Sequence, residues 1–201
     1  MHPHTTALIL VGYQNDYFAR NGILRGVVQE PDRVDTVLAN TLAFIRAVTD
    51  TPMMIVSTPI VLEPTYRALA SAVGILNSIK ESGAFKAGSE GAETIPELLA
   101  LGDRITYING KVGFNAFSNT SLGSVLRERE IKDVLVAGMI TSLCIDSTGR
   151  AAYERGFNVA ILSDCTSSRT PMEQAFFCEN IFPLYGRAVS SLEYVQDLAS
   201  A

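Results

Sequence analysis

The stretch DVLVAGMITSLCIDSTGRAA, residues 133–152, decides the fold. Residues 133–138 are apolar almost throughout, which is the pattern of a strand buried on both faces of a parallel sheet. Residues 141–155 have helical periodicity and are followed by Gly156, a common residue just past a helix C-terminus. A buried strand that runs directly into a helix is the repeating unit of an α/β domain.

The same alternation of strand and helix extends along the whole chain. The runs predicted as strands are 7–11, 53–57, 104–108, 133–138, 158–163 and 187–190. The segments predicted as helices are 31–49, 73–80, 120–129, 141–155, 171–185 and 192–198. Residues 59–96 have no further assignment. The pattern predicts one α/β domain over residues 1–201, Rossmann-like, with a parallel sheet between two layers of helices.

Composition excludes several classes of protein. The chain has 201 residues, of which 47% are hydrophobic, so disorder is excluded. The net charge of −5 without a cluster of basic residues argues against nucleic acid as a partner. Apolar runs are much shorter than the ~20 residues of a membrane-spanning helix, so no membrane partner is expected. Three cysteines and no signal-peptide pattern at the N-terminus predict a cytoplasmic location.

Histidine is almost missing from the chain. The only two histidines are His2 and His4, ahead of the first predicted strand. Catalysis by a Ser-His-Asp or Cys-His unit is therefore excluded, and so are zinc sites of the H-E-x-x-H type. Any nucleophile in this chain needs a different activating neighbour.

Polar segments follow three of the predicted strands. They are GYQNDYF at 12–18, NGKVGFNAFSNT at 109–120, and the beginning of the helix in 138–152. Ligands bind beyond the carboxyl ends of the strands in open parallel sheets, so we expect these three segments to form one site. We expect the pocket to be shaped by Gly12, Tyr13, Gln14, Phe114 and Phe117 and by the loops of residues 59–86.

Cys144 and Lys111 are the candidate reactive pair. A thiol in the first turn of a helix faces unpaired N–H groups and the positive end of the helix dipole, which favours the thiolate. Lys111, turned inward from a loop with glycines on both sides, would lower the thiol pKa further. The alternative interpretation is a small buried Cys144 and a solvated Lys111. Cys165 and Cys178 have no such context and are interpreted as packing residues.

Two of these segments resemble motifs of the isochorismatase-like cysteine hydrolases. The residues that resemble the nucleophile motif are Gly138, Thr141, Cys144, Ile145, Thr148 and Ala152. Residues 111–120 resemble the lysine motif of that family, roughly Lys-x-x-x-Ser-Ala-Phe-x-x-Thr. Residues 88–98 and 163–170 also look like family segments, so the resemblance covers nearly the whole chain.

The resemblance implies a fold and a mechanism. The sheet would have six parallel strands in the order 3-2-1-4-5-6. Cys144 would attack a small substrate with Lys111 in support. The backbone amides of Ile140 and Cys144 would form the oxyanion hole, next to a cis peptide bond between Met139 and Ile140. Family members usually assemble as dimers or larger, so a homo-oligomer is expected.

The chain departs from the family in two places. The family's first strand ends in Asp-x-Gln-x-Asp-Phe, whose first aspartate is the general base, and here Gly12 takes that position. Asp16, in the same loop, is the first candidate for the missing base, although a residue that caps a turn is the alternative interpretation. The nicotinamidases of the family have an Asp-x-His…His cluster after the second strand, whereas residues 57–67 contain no histidine, so neither metal nor cofactor is expected.

The leading hypothesis is a metal-free cysteine hydrolase that cleaves an amide-type or imide-type C–N bond of a small molecule. The alternative is a catalytically impaired family member that binds a small molecule or a protein, and Gly12 is the observation that supports it. Isochorismatase-type ether cleavage is the hypothesis that Gly12 weakens most, because that reaction needs the acid that is missing at this position. Thiol redox chemistry is weaker still because there is no C-x-x-C pair.

Overall fold

The computed structural model describes residues 2–199 and contains one six-stranded parallel sheet. Its strands are β1 (Thr6–Val11), β2 (Met54–Thr58), β3 (Thr106–Tyr107), β4 (Asp133–Met139), β5 (Asn158–Ser167) and β6 (Arg187–Val189). The order across the sheet is β3-β2-β1-β4-β5-β6, and every neighbouring pair is parallel. The predicted fold class and strand order are therefore confirmed.

Helices cover both faces of this sheet. They are α1 (Asn15–Phe18), α2 (Asp32–Ala47), α3 (Gly74–Ser82), α4 (Pro96–Leu99), α5 (Leu122–Glu128), α6 (Asp146–Tyr153), α7 (Pro171–Phe176) and α8 (Ser191–Ala199). Alternate residues of β1 point into two separate cores: Leu8 packs with α2 and α8, and Ile9 packs with α5 and α6. This explains why the central strands read as continuous apolar runs.

The two central strands approach each other closely where the site begins. Val11 of β1 pairs with Gly138 of β4. Gly138 has a φ of 126°, and a Cβ atom at this position would overlap the Val11 carbonyl. Glycine is required here for both reasons, and it lets β4 run beside β1 up to the residues that precede Cys144.

Several predicted boundaries are wrong, and each has a local cause. The predicted strand 104–108 is reduced to Thr106–Tyr107 because the turn Gly102–Arg104 precedes it. The predicted helix 171–185 is three pieces: α7 is followed by a π-helical turn (Phe177–Ile181) and a 3-10 turn (Phe182–Leu184). The proline inside the last turn has no N–H to continue an α-helix. No helix within residues 2–199 has the length and apolar character to cross a membrane.

Candidate active site

Cys144 lies at the carboxyl end of β4, inside a π-helical turn (Thr141–Ile145) that leads into α6. The turn is built on one carbonyl: Leu143 and Ile145, the neighbours of Cys144, both donate their amides to Ile140 O, at 3.1 and 3.2 Å. The peptide bond between Met139 and Ile140 is cis. Cys144 is 5% exposed, so its thiol is held in a nearly dry position at a helix N-terminus.

Lys111 reaches this thiol from the loop that follows β3. Its backbone pairs with Ile60 in a parallel bridge that follows β2. The side chain is fully buried, and Nζ lies 3.6 Å from Cys144 Sγ and also donates to the Gly113 carbonyl. Burial lowers the pKa of Lys111, while the adjacent Cys144 acts in the opposite direction. The structure thus brings together the two residues that the sequence predicts as the reactive pair.

The loop that carries Lys111 is fastened to the helix that carries Cys144. Ala116 N donates to Thr148 Oγ1 of α6 at 3.1 Å. Phe117 packs against Phe157, with the guanidinium of Arg155 over its ring, and does not line the cavity beside the thiol. Phe114, from the same loop, does line that cavity.

The residues after β1 are placed differently from one another. Gly12 has a φ of 75°, and a Cβ atom at this position would lie 3.3 Å from the ring of Tyr17 and from Met139 O. Tyr17 lines the cavity together with Cys144. The pKa of Tyr17 is raised, first by burial and then by Cys144 and Asp16, so the phenol stays protonated. An aromatic ring therefore occupies the space beside Gly12.

Three other predicted site residues hold this loop in place. Gln14 bonds with Ile60 through both amide atoms, and its Nε2 also donates to Ala92 O at 2.7 Å. Asp16 is buried and accepts the amide of Phe85 on Oδ2 at 2.6 Å. Tyr13 points toward α2, where its hydroxyl lies 2.6 Å from Thr41 Oγ1. None of the three lines the cavity beside Cys144.

The cavity beside the thiol is narrow and apolar. Its volume is about 20 Å³, which is room for about one water molecule. Its lining residues are Tyr17, Ile60, Leu62, Leu69, Ile75, Leu76, Ile79, Val112, Gly113, Phe114, Leu143 and Cys144. No charged side chain is among them. Six of these residues come from the segment 59–86, which the sequence predicts to shape the pocket. Three of the six (Ile75, Leu76, Ile79) belong to α3, and the sequence does not indicate which face of that helix covers the cavity.

A larger cavity of about 350 Å³ lies beyond the carboxyl end of β5 and contains Ser168, Arg169 and Cys178 among its lining residues. The larger volume does not make this cavity the reactive site, because burial raises the pKa of its Cys178 thiol and Lys111 is not among its lining residues. Within residues 2–199 no group of three or more His, Cys, Asp or Glu side chains is arranged to hold a metal ion.

The fold and the site define an α/β domain with a doubly covered parallel sheet and a buried cysteine–lysine pair beyond its central strands. The chain belongs to the isochorismatase family, because the model of the isochorismatase domain matches residues 6–193. The resemblance read from the two motifs is thereby confirmed at the level of the family.

Individual relatives agree with this assignment. The chain is 28% identical over 183 residues to the ureidoacrylate amidohydrolase RutB of Pseudomonas syringae pv. syringae strain B728a, covering 85% of this chain and 74% of the relative. A cysteine hydrolase structure from Pseudomonas syringae pv. phaseolicola 1448A superposes with a TM-score of 0.82 at 20% identity, covering 100% of this chain and 95% of the other. The nicotinamidase PncA of Bacillus subtilis gives a TM-score of 0.74 at 23% identity, covering 92% and 99%. At these identities the two structures show the fold.

Proposed function

We propose that this protein is a metal-free cysteine hydrolase that cleaves an amide-type or imide-type C–N bond of a small molecule. The observation that carries the proposal is the buried contact of 3.6 Å between Lys111 Nζ and Cys144 Sγ at a helix N-terminus. A cation beside a thiol favours the thiolate, which is the attacking form of cysteine. The relative named as a ureidoacrylate amidohydrolase supports the choice of a C–N bond.

The geometry supports a division of roles around the carbonyl of the substrate. Cys144 Sγ forms the bond to the carbonyl carbon, and the backbone amides of Ile140 and Cys144 stabilise the negative charge that develops on the oxygen. Lys111 in its protonated form stabilises both the thiolate and the anionic intermediate. The acyl part of the substrate lies against Phe114 and Tyr17, whose rings line the cavity.

The shape of the cavity limits the substrate class. The lining is apolar and uncharged, so an anionic or cationic group on the acyl side would lose its hydration without a partner. A volume of about 20 Å³ is far below the several hundred Å³ of most ligand sites, so entry of even a small amide requires the lining side chains to rearrange. We expect small, neutral acyl groups to be preferred.

A second candidate function is ligand or protein binding without turnover. The specific observation in its favour is Gly12, at the position where the resemblance places the general base. Asp16 is held by the Phe85 amide and shares no hydrogen bond with Cys144, so it does not replace that base in this arrangement. A binding protein would retain the fold and the cavity, but Cys144 would form no covalent intermediate.

The cytoplasmic location and the homo-oligomer predicted from the sequence are part of this proposal. All three cysteines are free thiols in the structure, as a reducing compartment would leave them. Light scattering of the purified protein measures the oligomer directly.

Intact-mass spectrometry during turnover tests the proposed function. The protein is mixed with a panel of small amides, imides and ureides, quenched in acid, and digested to locate any added mass. We expect an acyl group on Cys144 with at least one compound, and an unmodified Cys178 as the internal control. Absence of acylation and of hydrolysis across the panel would favour the binding protein.

A further inference from the structure

Lys111 is a buried lysine without a carboxylate. Its side chain is 0% exposed, and its hydrogen-bond partners are the Gly113 carbonyl and the Cys144 sulfur. No ion pair with Asp or Glu involves it among residues 2–199. A buried ammonium without an anion is strongly disfavoured, so the charge of Lys111 depends on the state of Cys144.

Two arrangements of protons leave the pair with no net charge. In one, a neutral thiol faces a neutral amine, and in the other a thiolate faces an ammonium ion. The two differ only by the position of one proton along the 3.6 Å contact between Sγ and Nζ. Neither arrangement places a net charge in the apolar cavity, and the attraction between thiolate and ammonium at 3.6 Å offsets the cost of desolvating the two charges, so the proton can move between the two atoms.

We propose that Lys111 carries the catalytic proton: it accepts the thiol proton of Cys144 and delivers it to the leaving nitrogen. This inference rests on the proposed function, and it assigns to Lys111 the task that the resemblance gives to an aspartate at position 12.

The other groups near the sulfur are less suited to accept a proton. Tyr17 lines the same cavity, but its pKa is raised, so it holds its proton and can only donate a hydrogen bond. Asp16 accepts the amide of Phe85. Gly12 has no side chain, and the ring of Tyr17 lies where one would begin. The cavity residues contributed by the loop after β2 and by α3 are apolar.

The proposed steps balance. The Cys144 proton moves to Lys111 Nζ, Sγ bonds to the carbonyl carbon, and the carbonyl π electrons move to oxygen. When the C–N bond breaks, the ammonium of Lys111 returns its proton to the departing nitrogen, which leaves a thioester. Water then attacks the thioester and gives a proton to Lys111. The C–S bond then breaks and the carboxylic acid is released. The Cys144 thiolate and the Lys111 ammonium remain as a pair.

The active form of the pair holds one proton shared between Sγ and Nζ. Activity should therefore fall both at low pH and at high pH. At low pH both atoms are protonated and Cys144 is not nucleophilic. At high pH both have lost their protons and Lys111 cannot protonate the leaving nitrogen. We expect a bell-shaped dependence of kcat/KM on pH, and both limbs belong to the pair rather than to either residue.

The experiment compares two substrates with the same acyl group: an alkyl amide, whose nitrogen must be protonated to leave, and a p-nitrophenyl ester, whose leaving group needs no proton. Rates are divided by the thiolate fraction measured by absorbance at 240 nm. Lys111→Met should lower amide hydrolysis by about 10²- to 10⁴-fold and ester hydrolysis by less than about tenfold. Lys111→Arg keeps the cation but cannot exchange the proton, and should show the same selective loss.

Control variants separate the alternatives. Lys132→Met changes an exposed lysine and should leave both substrates unaffected. Equal losses on amide and ester after Lys111→Met, or a selective amide loss in Tyr17→Phe instead, would overturn the assignment of the proton to Lys111. Loss of neither activity in Cys144→Ala would show that the proposed function itself is wrong, which is a separate result.

Discussion

Cys144 and Cys165 are both buried cysteines, one just after β4 and the other within the neighbouring strand β5. Cys144 Sγ lies 3.6 Å from Lys111 Nζ. Cys165 lies beside the carboxylate of Asp164, with 3.7 Å between Sγ and Oδ1. Burial and the neighbouring Asp164 raise the pKa of Cys165 to about 12.

The comparison shows that burial alone does not make a cysteine inert or reactive. Both thiols have lost nearly all contact with solvent, which by itself disfavours the thiolate. The difference lies in the charged neighbour: Lys111 faces one sulfur and Asp164 faces the other. The account therefore predicts a nucleophile at Cys144 and a permanently protonated packing residue at Cys165.

The largest expected difference is in catalysis. Cys144→Ala removes the nucleophile and should reduce hydrolysis by about 10⁴-fold or more. Cys165→Ala should leave kcat within about threefold, because no atom of Cys165 lines the cavity of Cys144. Steady-state kinetics of the two variants on one amide measures both. A comparable loss in both variants would break the comparison.

Restoring a carboxylate near Cys144 should have the next largest effect. Gly12→Asp should raise turnover by about 10- to 100-fold, which is at or below the lower limit of the ~10²- to 10⁴-fold that general acid–base assistance supplies. The gain is limited because the new Cβ lies 3.3 Å from the Tyr17 ring and the backbone φ is positive. Gly12→Asn introduces the same strain without a base and should give no gain. Equal turnover in the two variants would contradict the prediction.

The raised pKa of Cys165 predicts a loss of stability at alkaline pH. The folded pKa of about 12 lies above the ordinary value of 9.0, so the contribution is complete below pH 9 and is lost as pH rises toward 12. Between pH 8 and 10 the parent should lose about 1.4 kcal/mol more unfolding free energy than Cys165→Ala. Urea titrations at both pH values measure the difference. Parallel losses in the two proteins would show that Cys165 has an ordinary pKa.

The smallest expected effect concerns Asp16. Asp16→Asn keeps an oxygen that can accept the amide of Phe85, so turnover should change by less than about threefold. Asp16→Ala removes that acceptor and should destabilise the fold by about 1–3 kcal/mol. Kinetics and urea unfolding of both variants provide the measurements. A loss of about 10²-fold in Asp16→Asn would make Asp16 the base after all.

Most of the fold could be predicted from the sequence because the strands are buried on both faces. Six apolar runs separated by helical segments indicate a parallel sheet, and the motif around Cys144 locates the site at the end of β4. The prediction of one helix over 171–185 is wrong beyond Phe176, where the chain continues as a π-helical turn and a 3-10 turn. Both depend on tertiary packing that periodicity does not record.

The site itself was only partly predictable. The direction of Lys111 depends on the bridge between Lys111 and Ile60, which a loop sequence does not reveal. Tyr13 and Gln14 are predicted as pocket residues because they are polar and follow a strand, yet neither lines the cavity, and their side chains bond to Thr41 and to the Ile60 backbone. The sequence assigns no role to Tyr17, and the position of its ring beside Gly12 follows only from the fold of α1.

The ionisation of Cys144 tests the central claim most directly. Thiolate absorbance at 240 nm, taken as the difference between the parent and Cys144→Ala over pH 5–10, reports the sulfur without requiring a reagent to enter the narrow cavity. We predict a thiolate signal in the parent at pH 7, because Lys111 Nζ lies 3.6 Å from Sγ, and the loss of that signal when Lys111→Met removes the cation. No thiolate signal in the parent at pH 7, or a signal that Lys111→Met leaves unchanged, would contradict the account.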